Sequence, residues 1–281
     1  MKPMKPAPSP DLPAKTNPII VFSKPFQSLS AEDSAALVEE VGFDGIECPV
    51  RGDGQIVPER VEEDLPRLVE AFRKRKLVIP VIVSEISTIG QPNAERVLRA
   101  AAKAGVKTVR LGIFKYAPDR TIARQVDEFG RVLKEIGEAC GELGIQAALQ
   151  NHSGVDRFGA PVWDFVTAHR DHHVANVGMC FDIGHAIVEG GLSWPIQARL
   201  AEPYYAAVYV KDYFWKNGPN GWRPSSAPLG DGMVDRSFIT GLRRSGYSGV
   251  ICQHHEYPLG GREEMVGQMR RDLRVLQAWL A

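Results

Sequence analysis

The stretch VICQHHEYPLGG, residues 250–261, runs from an apolar segment straight into two histidines and a glutamate. Imidazoles and carboxylates gathered at the end of a buried strand are the groups that bind divalent cations, move protons or orient a polar ligand. Side chains two apart on a strand share a face, so Cys252, His254 and Glu256 point one way and Gln253 and His255 the other. The same passage from apolar to polar recurs along the chain. GIQAALQNH leads to Gln150, Asn151 and His152, VGMCFDIGH to Asp182 and His185, and YAAVYVKD to Tyr209, Lys211 and Asp212. Earlier apolar runs end at Lys24, at Glu47 with Arg51, at Glu85 and at Arg110. One histidine, one glutamate, one aspartate and one amide oxygen from neighbouring strands can surround a hard or borderline divalent ion such as Mg²⁺, Mn²⁺, Co²⁺ or Zn²⁺.

Something must bring these ends together, and the alternation of patterns supplies it. Short apolar runs at 18–24, 43–50, 77–84, 106–114, 144–152, 177–185, 205–214 and 248–256 read as strands. Longer amphipathic segments follow each one. The first opens at Ser30 as N-cap, with Asp33 as its reciprocal partner, and ends at Gly42; others open near Pro58 and Asn93, run from Thr121 to Gly144, or close the chain at 263–280. Eight such βα units most simply form a closed parallel barrel, whose strand ends converge on one mouth. The competitor is an open doubly wound sheet, but neither GxGxxG nor GxxxxGK[ST] occurs. The expectation is therefore a single-domain α/β (β/α)8 barrel over residues 18–281, preceded by a Pro- and Lys-rich flexible tail, residues 1–17.

Composition narrows the partners. Lys plus Arg and Asp plus Glu both total 34, so no net field draws the protein to nucleic acid or to an anionic membrane. A small neutral or locally recognised ligand fits better, with a homo-oligomer open. The four cysteines, Cys48, Cys140, Cys180 and Cys252, form no CxxC pair and read as reduced, three of them inside strands. No apolar run reaches the roughly 18 residues of a membrane span, and the first residues lack a secretory apolar core. A cytoplasmic protein is expected.

The segments GFDGIE, LQNHSG, CFDIGHA, YVKD and HHEYP, in this order, resemble the sugar phosphate isomerase/epimerase family, a xylose isomerase-like TIM barrel. The resemblance extends from the first strand to the last helix. It implies one divalent metal held by a Glu on strand five, an Asp followed three residues later by His on strand six, a His on strand seven and a Glu on strand eight. Asp182 and His185 match the strand-six pattern. Elsewhere the chain departs from it: Gln150 stands in place of the first Glu, Tyr209 in place of the strand-seven His, and His254 near the strand-eight Glu, with Glu256 two residues on. With these changes the expected metal ligands are Gln150 (or His152), Asp182, His254 and Glu256.

A cation on a carbonyl and its neighbouring hydroxyl stabilises the enediolate left when an α-proton is removed. Glu256 or Glu47 is the expected base, with Lys211 as proton donor or charge-neutralising group, and Arg51, Arg110, His152 and His185 as substrate-binding residues. Trp163, Trp194, Trp215 and Tyr257 could offer apolar faces to sugar C–H surfaces. Bland roles are expected for others: His255 packed against a helix, Asp164, His169, His172 and His173 on a solvated surface, and Gly230–Gly232 in a turn, or in a lid after a long loop. The leading expectation is a metal-dependent sugar isomerase or epimerase. Loss of one carboxylate at Gln150 leaves open a lyase or hydratase on a keto sugar, cyclitol or keto-glycoside, and loss of the metal leaves open a non-catalytic sugar-binding or scaffolding barrel.

Overall fold

The computed structural model describes residues 17–219 and 221–281. The expected tail lies outside the described residues except for Asn17, whose side-chain amide donates to the carbonyls of Tyr247 and Gly249. The strands are β1 (Ile19–Phe22), β2 (Gly45–Pro49), β3 (Val78–Val83), β4 (Thr108–Arg110), β5 (Gln146–Gln150), β6 (Val177–Asp182), β7 (Tyr205–Val210), β8 (Asp212–Gly218), β9 (Gly221–Ala227) and β10 (Val250–Gln253). The helices are α1 (Ala31–Val41), α2 (Val61–Lys74), α3 (Ala94–Lys103), α4 (Ile122–Glu142), α5 (Trp163–Asp171), α6 (Ile183–Gly190), α7 (Trp194–Ala201), α8 (Arg236–Arg244) and α9 (Arg262–Leu280). Eight strands, all but β8 and β9, close in the order β1-β10-β7-β6-β5-β4-β3-β2, and every pair is parallel. The expected (β/α)8 barrel is therefore what the chain forms.

Local signals explain the units. Ser30 Oγ accepts from the amide of Asp33 and donates to its carboxylate, and Gly42 takes φ 103° to end α1. Such a left-handed cap is nearly free for glycine and strained for other residues. Strand alternation then sorts two cores. Outward residues such as Ile46, Ile82, Val109 and Phe181 pack under helical Leu65, Phe72, Leu98 and Ile136. Inward residues, Ile20, Phe22, Val81, Val83, Ala148 and Cys180 among them, fill the barrel. Each fully buried Leu, Ile or Phe contributes about 1.5–3 kcal/mol. All four cysteines are buried and free, with Cys48, Cys180 and Cys252 in strands as expected.

Four local expectations need correction. The apolar run at 205–214 is two elements: β7 stops at Val210, and Asp212 opens the antiparallel hairpin β8–β9. The Asp212 carboxylate accepts from the amides of Tyr213, Gly230, Gly232 and Val234, which turns the chain outward and pins the Gly230–Gly232 turn. It is therefore an internal anchor rather than a mouth group. Asp164 is buried rather than solvated, because the hydroxyl of Tyr116 and the amide of Gly159 donate to it at 2.6 and 2.9 Å. His169 and His172 are partly buried and bonded, to the Val177 carbonyl and to Asp127, and only His173 of that group is exposed. One helix more than expected occurs among the described residues, because both α6 and α7 lie between β6 and β7.

Candidate active site

Inward-facing polar residues at the strand ends form two clusters. The deeper one centres on Glu47 of β2, which is wholly buried. The phenol of Tyr209 donates to its Oε1, Arg110 Nη1 lies 3.5 Å from the same oxygen, and His254 Nε2 lies 3.0 Å from Oε2. The Arg110 guanidinium also donates to Gln150 Oε1 at 2.5 Å and sits over the rings of Phe22 and Tyr209, 5.3 and 5.7 Å from their centres. Burial would raise the Glu47 pKa, but the Arg110 charge and the His254 and Tyr209 contacts outweigh it and hold the carboxyl below its ordinary value. Burial opposes a charge on His254, yet the Glu256 and Glu47 carboxylates raise its pKa. A buried ion pair of this kind is tolerable only when further hydrogen bonds complete it, as they do here.

The second cluster lies toward the open end. Lys211, one residue past β7 and 8% exposed, places Nζ 2.8 Å from His185 Nε2, 3.2 Å from Asp182 Oδ2, and 3.1 and 3.2 Å from the two oxygens of Glu256. An ammonium can only donate, so His185 Nε2 accepts the hydrogen bond from Lys211 and the ring carries its own hydrogen on Nδ1, which faces Ser153 Oγ at 2.8 Å. That neutral tautomer agrees with the pKa of His185, which burial lowers to about 4 against the opposing pull of Asp182. For Asp182, burial would raise the pKa, but Lys211 and the nearby histidines bring it down to about 2. Glu256 follows the same logic: burial raises, while His254 and Lys211 hold it well below the usual carboxylate range.

Asp182 also caps α6 by accepting from the His185 amide at 3.1 Å, and Gln150 Nε2 donates to its other oxygen at 2.8 Å. Asn151 clamps the end of β6 through two bonds to the Asp182 backbone, 2.7 and 3.1 Å long. The His152 ring packs 5.3 Å from that of His185, and burial, ahead of the nearby positive charges, keeps it neutral.

The structure thus gathers Glu47, Arg110, Gln150, His152, Asp182, His185, Lys211, His254 and Glu256 in one strand-end region. Arg51 stays apart, paired with Asp53 at 2.8 Å rather than with Glu47. Lys24 and Glu85 are exposed beyond it. Trp194 packs on Phe238 and the Tyr257 hydroxyl donates to buried Asp272, so neither offers a free face, whereas Trp163 and Trp215 are exposed. His255 packs beside Phe43 and Tyr257 against α9, 3.7 Å from Asp272 and without a hydrogen bond. Ser153 and Gly184 join the cluster with no signal in the sequence to mark them. Gly184, inside the DIGH segment, lies where an added Cβ would come within 2.9 Å of Lys211 Cγ.

The expected ligand set can be tested against these contacts. Gln150 turns its oxygen to Arg110 and its NH₂ to Asp182, so its one possible ligand atom is already engaged. Both Asp182 oxygens already accept hydrogen bonds. His254 commits Nε2 to Glu47 and leaves Nδ1 without a partner, 3.9 Å from Glu256. The point that Asp182, Glu256 and His185 surround holds Lys211 Nζ. Deeper down, Glu47, Cys252 and His254 each offer one atom within 4.8 Å of one another, a spacing that could hold an ion. There, however, the Arg110 charge already lies 3.5 Å from Glu47 and would repel a second cation. Neither donor set fits a divalent ion as it stands.

The profile of the xylose isomerase-like TIM barrel family matches residues 35–279. The chain belongs to that family. A search of curated proteins returns no match. Among solved structures, a xylose isomerase-like TIM barrel protein from Mycobacterium smegmatis, in complex with magnesium, is 22% identical, with TM-score 0.65 over 95% of this chain and 98% of that one. The 3-keto-D-glucoside 4-epimerase of E. coli is 15% identical, with TM-score 0.73 over 94% and 100%. A probable 3-DHS dehydratase from Bacillus anthracis is 16% identical, with TM-score 0.68 over 91% and 97%. At these identities the shared fold is what the comparison carries. Within this xylose isomerase-like barrel, the departures at Gln150, Tyr209 and His254 all fall in the two clusters, where Gln150 bonds to Arg110, and Tyr209 and His254 to Glu47.

Proposed function

We propose that this barrel is a sugar-processing enzyme that removes a proton next to a carbonyl, an isomerase or epimerase of a ketose or keto sugar. Sugar epimerases among its structural neighbours support the substrate class. The observation that carries the reaction type is the Lys211–Glu256 pair: Glu47 and Asp182 are fully buried, whereas the Glu256 side chain is 41% exposed and bound to an ammonium. A substrate carbonyl oxygen entering the mouth takes N–H donation from Lys211. Glu256 gives up its hydrogen bond from Lys211, which raises its basicity, and it accepts the α-proton while the Lys211 ammonium neutralises the enediolate oxygen. Preorganised charge of this kind is commonly worth several kcal/mol. His185 orients the lysine through Nε2, and Ser153 fixes its tautomer.

A second reading, elimination of water or an aglycone from a keto sugar, is favoured by a specific feature. Epimerisation uses an acid or base on each side of the carbon, and the second carboxylate, Glu47, is locked under Tyr209, Arg110 and His254. The test is to incubate the protein with a panel of ketoses and keto-glycosides in D₂O and follow them by NMR. Deuterium entering without loss of water supports the isomerase, and release of water or aglycone the lyase. Glu256→Gln should slow either reaction by about 10²- to 10⁴-fold. Neither exchange nor product across the panel, with sugar still bound, would identify a sugar-binding barrel instead.

A further inference from the structure

An ammonium has three N–H donors and no acceptor, and Lys211 Nζ meets three acceptor groups: His185 Nε2 at 2.8 Å, Asp182 Oδ2 at 3.2 Å, and the Glu256 carboxylate at 3.1 Å. Two carboxylates and an imidazole lone pair converging on one point form a cation-binding set. Divalent ions require such ligands at about 2.0–2.6 Å, so an ion and Nζ cannot share the point. The surroundings are cut to the lysine. Gly184 leaves open the space of its stem, since a Cβ there would approach Cγ to 2.9 Å. Gln150 meets Asp182 with an N–H at 2.8 Å, where a carboxylate would repel it without a strong cation between them. A second fixed charge, Arg110, lies on the other side of Gln150 at 2.5 Å.

We propose that Lys211 Nζ is the built-in cation of this mouth, and that Asp182, Glu256 and His185 hold the ammonium in place of a divalent ion. The site is then complete without metal, and the ligand it takes is a neutral carbonyl that becomes an oxyanion, not a metal chelate. The proposal rests on reading the mouth as the active site, but its test needs no substrate, so failure to find turnover and failure of this assignment are separate results.

The experiment is a titration of the full chain with Mn²⁺, reading free ion by EPR, beside metal analysis of the purified protein. Wild type is expected to carry no stoichiometric divalent ion and to show no site tighter than about 1 mM. Lys211→Met removes the ammonium and leaves both carboxylates and His185 facing one point, so it should gain Mn²⁺ affinity by about tenfold or more. Lys211→Gln, which keeps length and polarity, is the second variant, with circular dichroism to confirm folding. A wild-type site of about one Mn²⁺ per chain at micromolar affinity, lost in Asp182→Asn, overturns the proposal and needs no variant of the lysine. Folded lysine variants that gain no affinity overturn it as well.

Discussion

Arg110 and Lys211 each hold a positive charge among carboxylates inside the same barrel, and their settings differ in access. Arg110 faces Glu47, whose side chain is 0% exposed, with its guanidinium over the rings of Phe22 and Tyr209. Lys211 faces Glu256, whose side chain is 41% exposed. Charges sealed from water must be matched within the fold, since the desolvation cost is offset only by partners already present. Charges at an opening can exchange partners with what enters. The same chemistry is therefore sealed in one place and open to an entering ligand in the other.

That contrast is most sharply broken by removing one charge from each cluster. Arg110→Met should cost about 3–5 kcal/mol, because it takes the cation from the buried Glu47 carboxylate, whereas Glu256→Gln should cost less, about 1–3 kcal/mol, because Lys211 keeps Asp182 and His185 as partners. Urea unfolding of the two variants measures both. Equal losses would mean that the mouth is as closed as the interior.

Asp212 sharpens the comparison, since it is as buried as Glu47 but bonded to neutral amides instead of charges. Asp212→Ala should lose about 1–3 kcal/mol from unsatisfied donors and should open residues 228–235 to limited proteolysis. An unchanged digestion pattern would show that the hairpin holds this turn by itself.

The smallest effect at neutral pH concerns His255, whose two ring nitrogens have no partner and whose pKa burial lowers to about 3. An unfolded histidine takes its proton near 6.5 and the folded one does not. Stability is thus fully present above that value and falls as pH drops toward 3, by about 1.4 kcal/mol per unit for one group. His255→Leu should match or exceed wild-type stability at pH 7 and flatten the decline between pH 6 and 4. Melting temperatures across that range decide it, and parallel curves would assign the acid sensitivity to His185 and His152.

Much of the architecture was legible because it depends on neighbours in sequence. Ser30, Asp33 and Gly42 bound α1 as their types require, and period-two alternation put Asp182 and His254 inside the barrel. The clusters were only half legible, because their partners come from strands far apart in the chain. Alternation brings Glu47 to the mouth but not under Tyr209, and brings Lys211 there but not onto the point set by Asp182, Glu256 and His185. That point depends on Gly184, where the informative feature is an absent Cβ. The hairpin was hidden for another reason: YVKDYFWK keeps the apolar and aromatic character of a strand through the break at Lys211, and only the bonds to Asp212 show the change of direction.

The span of the inner bonds has a consequence in time. His254 and Glu47 are 207 residues apart and Tyr209 and Glu47 162, and the seam that aligns the first of these joins β1 to β10. Closing loops of such length carries an entropic cost that only nearly complete structure offsets. The charged centre of the barrel is thus the last part to assemble, after the βα units around it have formed from local contacts. Its contribution falls on how slowly the finished ring opens, not on how quickly it closes.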